Sequence, residues 1–413
     1  RCFIASLCEA AIASMKRLRF LGGLALARAA MTSGLGMVRL MTSCWPIVQT
    51  LVVTQYTNRP AGKRYRKMTK MMGIADAIQA RGRSTRLTLV VDPGARGTFR
   101  LVREVLKAPR GPLLVRMDYA LIPLLPWLAV RRLRGQRNVI DVPTPISVSL
   151  KEPGPAGRLR RGVRQSALRI SAPATWWAFD AIVQYSDEGS RWALMGNRSR
   201  VVLMANGIDV GKLPVARLAR TELPGPEELH LLALGMSDPA HGLDRLITGI
   251  AEMGPASHSN VRLVATLRPT AHTTVLRELV VRHGLTSVVS LQHEVVGDEL
   301  DELFDWADVG VGVLAPHRKT LATASPLKHR EYAGRGLPFF YAGEDVALQG
   351  DERMFRRVPD GESPIDVDSL WAWARQVLDE GTRAACRDFA VRHMTWAPMV
   401  DIVLGEGPSA VGP

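Results

Sequence analysis

The sequence predicts an α/β protein of two doubly wound domains whose parallel sheets face each other, closed by a C-terminal helix that crosses back. Three observations predict it. Short apolar β-type runs alternate with longer mixed segments, the pattern of βα units around a parallel sheet. The runs fall into two series separated by the turn-rich LPGPEE at 223–228. The length of 413 residues exceeds the roughly 100–200 expected of one domain.

In chain order, VQTLVVTQY (48–56), RLTLVV (86–91), LLVRMD (113–118), NVIDV (138–142), AIVQYS (181–186) and VVLMANG (201–207) read as strands of the first domain. LHLLALG (229–235), VRLVATL (261–267), VVSLQHE (288–294), VGVGVL (309–314) and LPFFYAG (337–343) read as strands of the second. A helix-length segment follows each. The stretch RDFAVRHMTWAPMVDIVL (387–404) reads as one helix with Trp396 as its packing anchor. The domains are accordingly 48–205 and 206–386, with 387–413 the crossover helix and tail. Residues 1–47 hold Lys16, Arg17, Arg19, Arg28 and Arg39 among short apolar runs. Three readings suit them: a weak signal peptide, a basic amphipathic helix on a membrane surface, or an upstream extension without function.

Composition narrows the partners. Lys plus Arg (54) exceed Asp plus Glu (39), a net charge of +15, which favours nucleotides or an anionic membrane face. Aromatic content is 6% and no basic run is interleaved with aromatics, so nucleic acid is not expected as a partner. Cys2, Cys8, Cys44 and Cys386 lack the paired spacings of a disulfide framework or zinc site, which points to a reduced, cytoplasmic setting. No apolar run reaches the roughly 18–20 residues that span a bilayer, so any membrane association is peripheral.

The most informative stretch is SPLKHREYAGRGLPFFY at 325–341. Ser325 and Pro326 read as N-cap and first residue of a helix that Gly334 and Gly336 end. A helix N-terminus offers unpaired N–H groups to phosphate oxygens, and Lys328 and Glu331 share one face three residues apart. A cation for a diphosphate beside a carboxylate for paired sugar hydroxyls suits a nucleotide-sugar. An ordinary amphipathic helix with a surface pair suits the same residues. In the first domain, Asp118 and Asp141 stand at strand ends facing the cleft, where ligands of such sheets bind. The loop NRPAGKRYRK (58–67) offers Gly62 for close approach and Lys63, Arg64, Arg66 and Lys67 for an anionic or lipid-linked acceptor. No phosphate-binding glycine loop follows a strand, which argues against a kinase or dehydrogenase. No carboxylate pair of the glycoside-hydrolase type stands out, and Asp366 and Asp368 read as surface.

The words ANGIDV (205–210), HGLDRLITGI (241–250), ELDELFDWADVGVGVLAPHRK (299–319) and SPLKHREYAGRGLPFFYAGED (325–345), with VRMDYA (115–120) and VIDVPTP (139–145), carry a resemblance. Residues 50–404 resemble the two-domain nucleotide-sugar glycosyltransferases of retaining family 4, and most of all bacterial enzymes of capsular and exopolysaccharide assembly. The resemblance implies the GT-B fold, two facing Rossmann-like domains, the first on the acceptor side and the second holding the donor. It implies that Glu331 binds the donor's ribose hydroxyls, that the backbone of Ser325 and Leu327 meets the diphosphate, and that Gly242 and Arg245 lie on the donor side. It also implies a role for His241 at the reacting centre, and catalysis without a metal or other cofactor; the strand-end position of Asp118 would let its carboxylate orient an acceptor hydroxyl there.

Two departures stand out. Relatives carry a sugar-contacting glutamate where this chain has Thr323, and an Arg and a Lys in the loop that here reads GMSDPAHG (235–242). Arg318, Lys319 and Lys328 are the expected replacement cations, with Arg268 a further candidate. All nine histidines lie at or beyond His230, so the first domain has none to offer a donor sugar. A nucleotide-sugar epimerase, a phosphorylase or a non-catalytic scaffold of the same fold are the alternatives.

Overall fold

In the computed structural model, the described residues are 50–55, 65–90, 94–117, 119–143, 166, 177–188, 200–217, 228–254, 260–348 and 352–406. The first sheet comprises β1 (Thr50–Gln55), β2 (Thr85–Val90), β3 (Leu113–Arg116), β4 (Asn138–Asp141), β5 (Ala181–Gln184) and β6 (Val201–Leu203), ordered β2-β1-β3-β4-β5-β6 and parallel throughout. The second comprises β7 (Leu229–Ala233), β8 (Val261–Leu267), β9 (Val289–His293), β10 (Val309–Val311), β12 (Phe339–Ala342) and β14 (Phe355–Val358), ordered β14-β12-β10-β7-β8-β9 and again parallel. A two-stranded sheet, β11 (Thr323–Ala324) with β13 (Glu344–Asp345), sits beyond their ends. Each predicted apolar run contains its strand except RLTLVV (86–91), whose strand β2 begins one residue earlier, at Thr85. β14, β11 and β13 are additions that apolar patterning misses: FRRV places two arginines mid-strand, tolerated because β14 is an edge that pairs only with β12.

The helices are α1 (Tyr65–Ala80), α2 (Gly94–Leu106) and α3 (Leu125–Leu133) in the first half. In the second half they are α4 (Leu243–Glu252), α5 (Ala271–Arg282), α6 (Asp298–Trp306), α7 (Leu327–Arg335), α8 (Val367–Val377), α9 (Glu380–His393) and α10 (Ala397–Leu404). Apolar clusters lie on both faces of each sheet. On the first sheet, Leu113, Val115, Ile140 and Ile182 face Leu101, Val105 and Leu128, while Leu114, Val139, Ala181 and Val183 face Met71, Ile74 and Ile78 of α1. The period-two alternation of these runs is therefore used on both sides, as a doubly wound sheet requires.

The predicted single helix over 387–404 is two. α9 ends at His393 and α10 begins at Ala397, because Pro398 lacks the N–H that would bond the carbonyl of Met394. The break turns Trp396, Met399, Val400 and Val403 into the α1 face of the first sheet. The return crossing runs beside the outward one: Ile208 N–H donates to the Met394 carbonyl at 2.7 Å. Gly207 permits this approach, since a Cβ there would lie 2.6 Å from the Thr395 carbonyl. Among the described residues, no helix is long and apolar enough to cross a membrane.

Candidate functional site

The site is built on α7. Its sheet-facing residues are large, and β10 makes room for them with glycine: a Cβ at Gly310 would lie 2.7 Å from the Tyr332 ring and one at Gly312 2.4 Å from His329 Nε2. The Tyr332 hydroxyl accepts from Leu234 N–H (2.9 Å) and lies within donating distance of the Leu232 and Val311 carbonyls (3.0 and 3.1 Å), so it is fully satisfied inside the core. Arg330 spans both carboxylate oxygens of Asp345, Asp345 also pairs with His329 Nδ1 at 2.7 Å, and His329 Nε2 accepts from Val313 N–H at 3.2 Å. That last bond places the imidazole proton on Nδ1. Burial holds His329 below its ordinary range, so the ring is neutral at pH 7. Within the nine residues of α7, only Leu327, Lys328 and Glu331 keep some exposure. Leu327 packs against the first sheet's α1-side cluster, which sets the start of α7 toward the first half.

Two details differ from the sequence expectation. Pro326, not Ser325, is the N-cap, and no side chain caps the helix. Ser325 is engaged elsewhere: its hydroxyl accepts from Asn206 N–H and its carbonyl from Asn206 Nδ2, each at 2.6 Å. Gly336, with φ +84°, ends the helix, whereas Gly334 stays inside it, where a Cβ would lie 2.7 Å from Leu213.

Around the free edge of α7, cations converge on His241. This residue closes a 3-10 turn, Pro239–His241, in which Asp238 accepts from Ala240 N–H at 2.9 Å and His241 Nδ1 accepts from Asp238 N–H at 3.4 Å. Burial pushes the imidazole well below its ordinary range, and the charges of Lys328, Lys319 and Arg268 push it further. The ring is therefore neutral at pH 7. Each cation is held by a neighbour: Lys328 Nζ lies 3.0 Å from Met236 Sδ, Lys319 pairs with Asp238 at 2.6 Å, and Arg268 pairs with Glu294 at 2.9 Å. Glu331 lies one turn along α7 from Lys328, with its carboxylate 3.9 Å from Arg335 Nε. Gly242 has φ +67°, and a Cβ there would lie 2.8 Å from Leu314 Cβ, so glycine is what seats the His241 turn against the strand-end loop of β10.

The structure assigns Arg318 and Arg245 to other tasks. Arg318 forks onto both oxygens of Asp244 (2.8 Å each), pairs with Glu362 and donates to the Pro239 carbonyl at 2.9 Å. Its guanidinium is fully committed, so it is a tether between turns and not a ligand cation. Arg245 is buried, donating to the carbonyls of Ser363 (2.7 Å), Pro359 (3.0 Å) and Leu314. It staples the 359–363 segment to α4 and has no surface to give a donor.

His317 joins the same tether, its two nitrogens meeting Asp360 and Glu362. Glu362 and then Asp360 raise its pKa, so the stability it adds is present below about pH 6.5, the unfolded value, and is lost as pH rises through the higher folded value. Urea unfolding at pH 6 and pH 8 should show His317→Asn reducing stability by less than about 1 kcal/mol at pH 6, since the site is partly exposed, with the gap closing at pH 8. An equal gap at both pH values would rule the titration out.

In the first half, Asp118, Gly62, Lys63 and Arg64 lie outside the described residues. Asp141 is not open to an acceptor: it is buried against Lys70 Nζ (2.8 Å) and the Tyr185 hydroxyl (2.6 Å). Burial pulls its pKa up, but Lys70 and Arg116 outweigh that and hold it below the usual range, while burial lowers Lys70 to about 8. Sequence reasoning missed Lys70, which stands five residues into a basic helix where an exposed charge is the normal expectation. It also missed Glu188 and Asn206, which carry no motif of their own beyond the ANG word. His272, at the start of α5, is held below its ordinary range by burial, so it adds no charge near His241 at pH 7.

Among the described residues, no group of three or more His, Cys, Asp or Glu side chains is gathered as for a metal ion. No protein-family model and no curated protein sequence matches the chain. Solved structures do resemble it. Anabaena HepE in complex with UDP is similar with a TM-score of 0.57 and 14% identity, over 87% of this chain and 98% of that one. Sucrose-phosphate synthase from Thermosynechococcus elongatus is similar with a TM-score of 0.54 and 14% identity, over 87% and 98%. WaaG, a glycosyltransferase involved in lipopolysaccharide biosynthesis, is similar with a TM-score of 0.50 and 16% identity, over 87% and 100%. With its two parallel doubly wound sheets and its returning C-terminal helix, the chain has the fold these glycosyltransferases share, GT-B.

Proposed function

We propose that the chain is a retaining glycosyltransferase of the family 4 type, moving a sugar from a nucleoside diphosphate to a polysaccharide precursor or lipid-linked oligosaccharide of capsule or exopolysaccharide assembly. The observation that carries the reading is that Lys328 at the start of α7, Arg268 and Lys319 meet residues 236, 237 and 238, the loop that leads into His241. A diphosphate leaving as the glycosidic bond breaks gains negative charge, and preorganised cations and helix N–H groups are what stabilise it. Lys328 and the N–H groups of Leu327 and its neighbours take that charge in this reading, and Glu331 accepts hydrogen bonds from the ribose hydroxyls. Positive charge supplied by side chains lets the reaction run without a metal. The neighbours lend support: HepE was crystallised with UDP and with UDP-glucose, and WaaG is involved in lipopolysaccharide biosynthesis. The net charge of +15 favours a peripheral position on the anionic cytoplasmic face of a membrane.

A thermal-shift screen against uridine, guanosine and thymidine diphosphates and their hexose conjugates tests the donor site. One nucleotide should stabilise the wild type, by about 2.7 kcal/mol at a hundredfold excess over its dissociation constant. Glu331→Ala should lose most of that gain while melting near the wild-type temperature without ligand. If no nucleotide shifts either protein, the non-catalytic scaffold replaces the transferase reading. Turnover of the conjugate with no acceptor, giving an isomerised sugar, would favour an epimerase.

A further inference from the structure

The first departure noted in the sequence is Thr323, a hydroxyl where a carboxylate would be expected to read the sugar. In the folded chain a carboxylate stands beside Thr323 after all, and it comes from the first half. Glu188 Oε1, four residues past the end of β5, accepts from Ala322 N–H at 2.7 Å and from Thr323 N–H at 3.4 Å. Its second oxygen, Oε2, is shielded from solvent and receives no hydrogen bond. Three residues past the end of the neighbouring strand β6, Asn206 binds Ser325 through its backbone N–H and Nδ2, while its Oδ1 is likewise shielded and unsatisfied. One four-residue segment, 322–325, is therefore held by Glu188 of the first half and by Asn206 at the junction after β6, and each leaves one acceptor atom without a donor.

Of the buried side-chain polar atoms without a partner among the described residues, these two belong to side chains that hold one short segment, and such atoms call for an explanation. Both atoms only accept. A diphosphate has no protons to give and is repelled by the carboxylate, whereas a sugar offers several hydroxyl donors. Thr323 precedes Leu327 by four residues, a span of at most roughly 14 Å, so a sugar joined to a diphosphate at the start of α7 lies within reach. We infer that Glu188, with Asn206 beside it, reads a hydroxyl of the transferred sugar from across the cleft. Glu188 is then a specificity residue supplied by the first half, and sugar recognition requires both halves to be in contact at 322–325.

This inference rests on the donor reading above, and the experiment separates the two. Isothermal titration compares wild type, Glu188→Gln and Glu188→Asp with the nucleoside diphosphate that binds and with its hexose conjugate. Gln keeps an oxygen for the Ala322 N–H, and unchanged melting of the free variant confirms the fold. Both variants should bind the diphosphate within about twofold of wild type and the conjugate about 10–100-fold more weakly, the loss expected for a hydrogen bond to a charged group. Equal losses for both ligands, or none for either, would overturn the role of Glu188 while leaving the donor site standing. Failure of the wild type to bind any nucleotide would overturn both.

Discussion

Replacing Asp345 with Ala should lower the unfolding free energy by about 3–5 kcal/mol, the cost of stranding a buried charge. Arg330 has no exposed surface and Asp345 is 4% exposed. The guanidinium forks onto that carboxylate, His329 Nδ1–H donates to it, and Ala347 N–H adds a further bond at 3.0 Å. Removing it strands one cation and leaves two donors unanswered. Arg330 Nε also donates to the Asn206 carbonyl at 3.0 Å, so the loss reaches the contact between α7 and the first half. Denaturant unfolding at pH 7 measures it. The double variant Asp345→Ala/Arg330→Met should recover a substantial part, because an apolar replacement of the pair removes the stranded charge. A single-variant loss below 1 kcal/mol would show that the pair contributes little. Arg330 holds the Asp345 carboxyl well below its ordinary range against the opposing pull of burial. The pair's stability is therefore present above about pH 3.9 and is lost only as pH falls through the lower folded value.

The second large effect concerns rate. Lys328→Met should reduce the release of nucleoside diphosphate from its sugar conjugate by about 10²–10³-fold in kcat/KM, the usual cost of removing one preorganised stabiliser of a developing charge. The fold should persist, because Lys328 is partly exposed at the start of α7. Arg318→Met should do the reverse, lowering stability through the lost fork on Asp244 while affecting kcat/KM far less. A Lys328→Met enzyme within threefold of wild type would move the charge-stabilising role to Lys319 or Arg268, which meet Asp238 and Ser237 in the loop that leads into His241.

Much of this architecture is visible in the residues alone. Apolar runs with turn-forming separators locate the central strands of both sheets, because a strand buried on both faces must be apolar along its length. Edge strands escape that rule, which is why FRRV at 355–358 does not announce itself. In the site, Lys328 and Glu331 are legible from their three-residue spacing on a helix that glycine ends. Arg318 and Arg245 show the limit of such reading. Both stand in the right words, yet one is spent on Asp244 and Glu362 and the other on three backbone carbonyls, partners far away in sequence. Glu188 fails in the opposite sense, since its importance arises only when residues 188 and 322 meet.

The passage of Trp396, Met399, Val400 and Val403 into the first sheet's cluster bears on how the protein is made. These side chains emerge from the ribosome almost two hundred residues after Leu203, the last residue of that sheet's strands. Until then Met71, Ile74 and Ile78 face an unfinished layer. Domains that fold during synthesis usually do so in N- to C-terminal order, whereas here the α1-side layer of the N-terminal half is complete only once α10 has been made. A nascent chain stalled before residue 396 would expose an apolar face and recruit chaperones. An N-terminal fragment for separate expression would need residues 394–406 grafted back to be soluble.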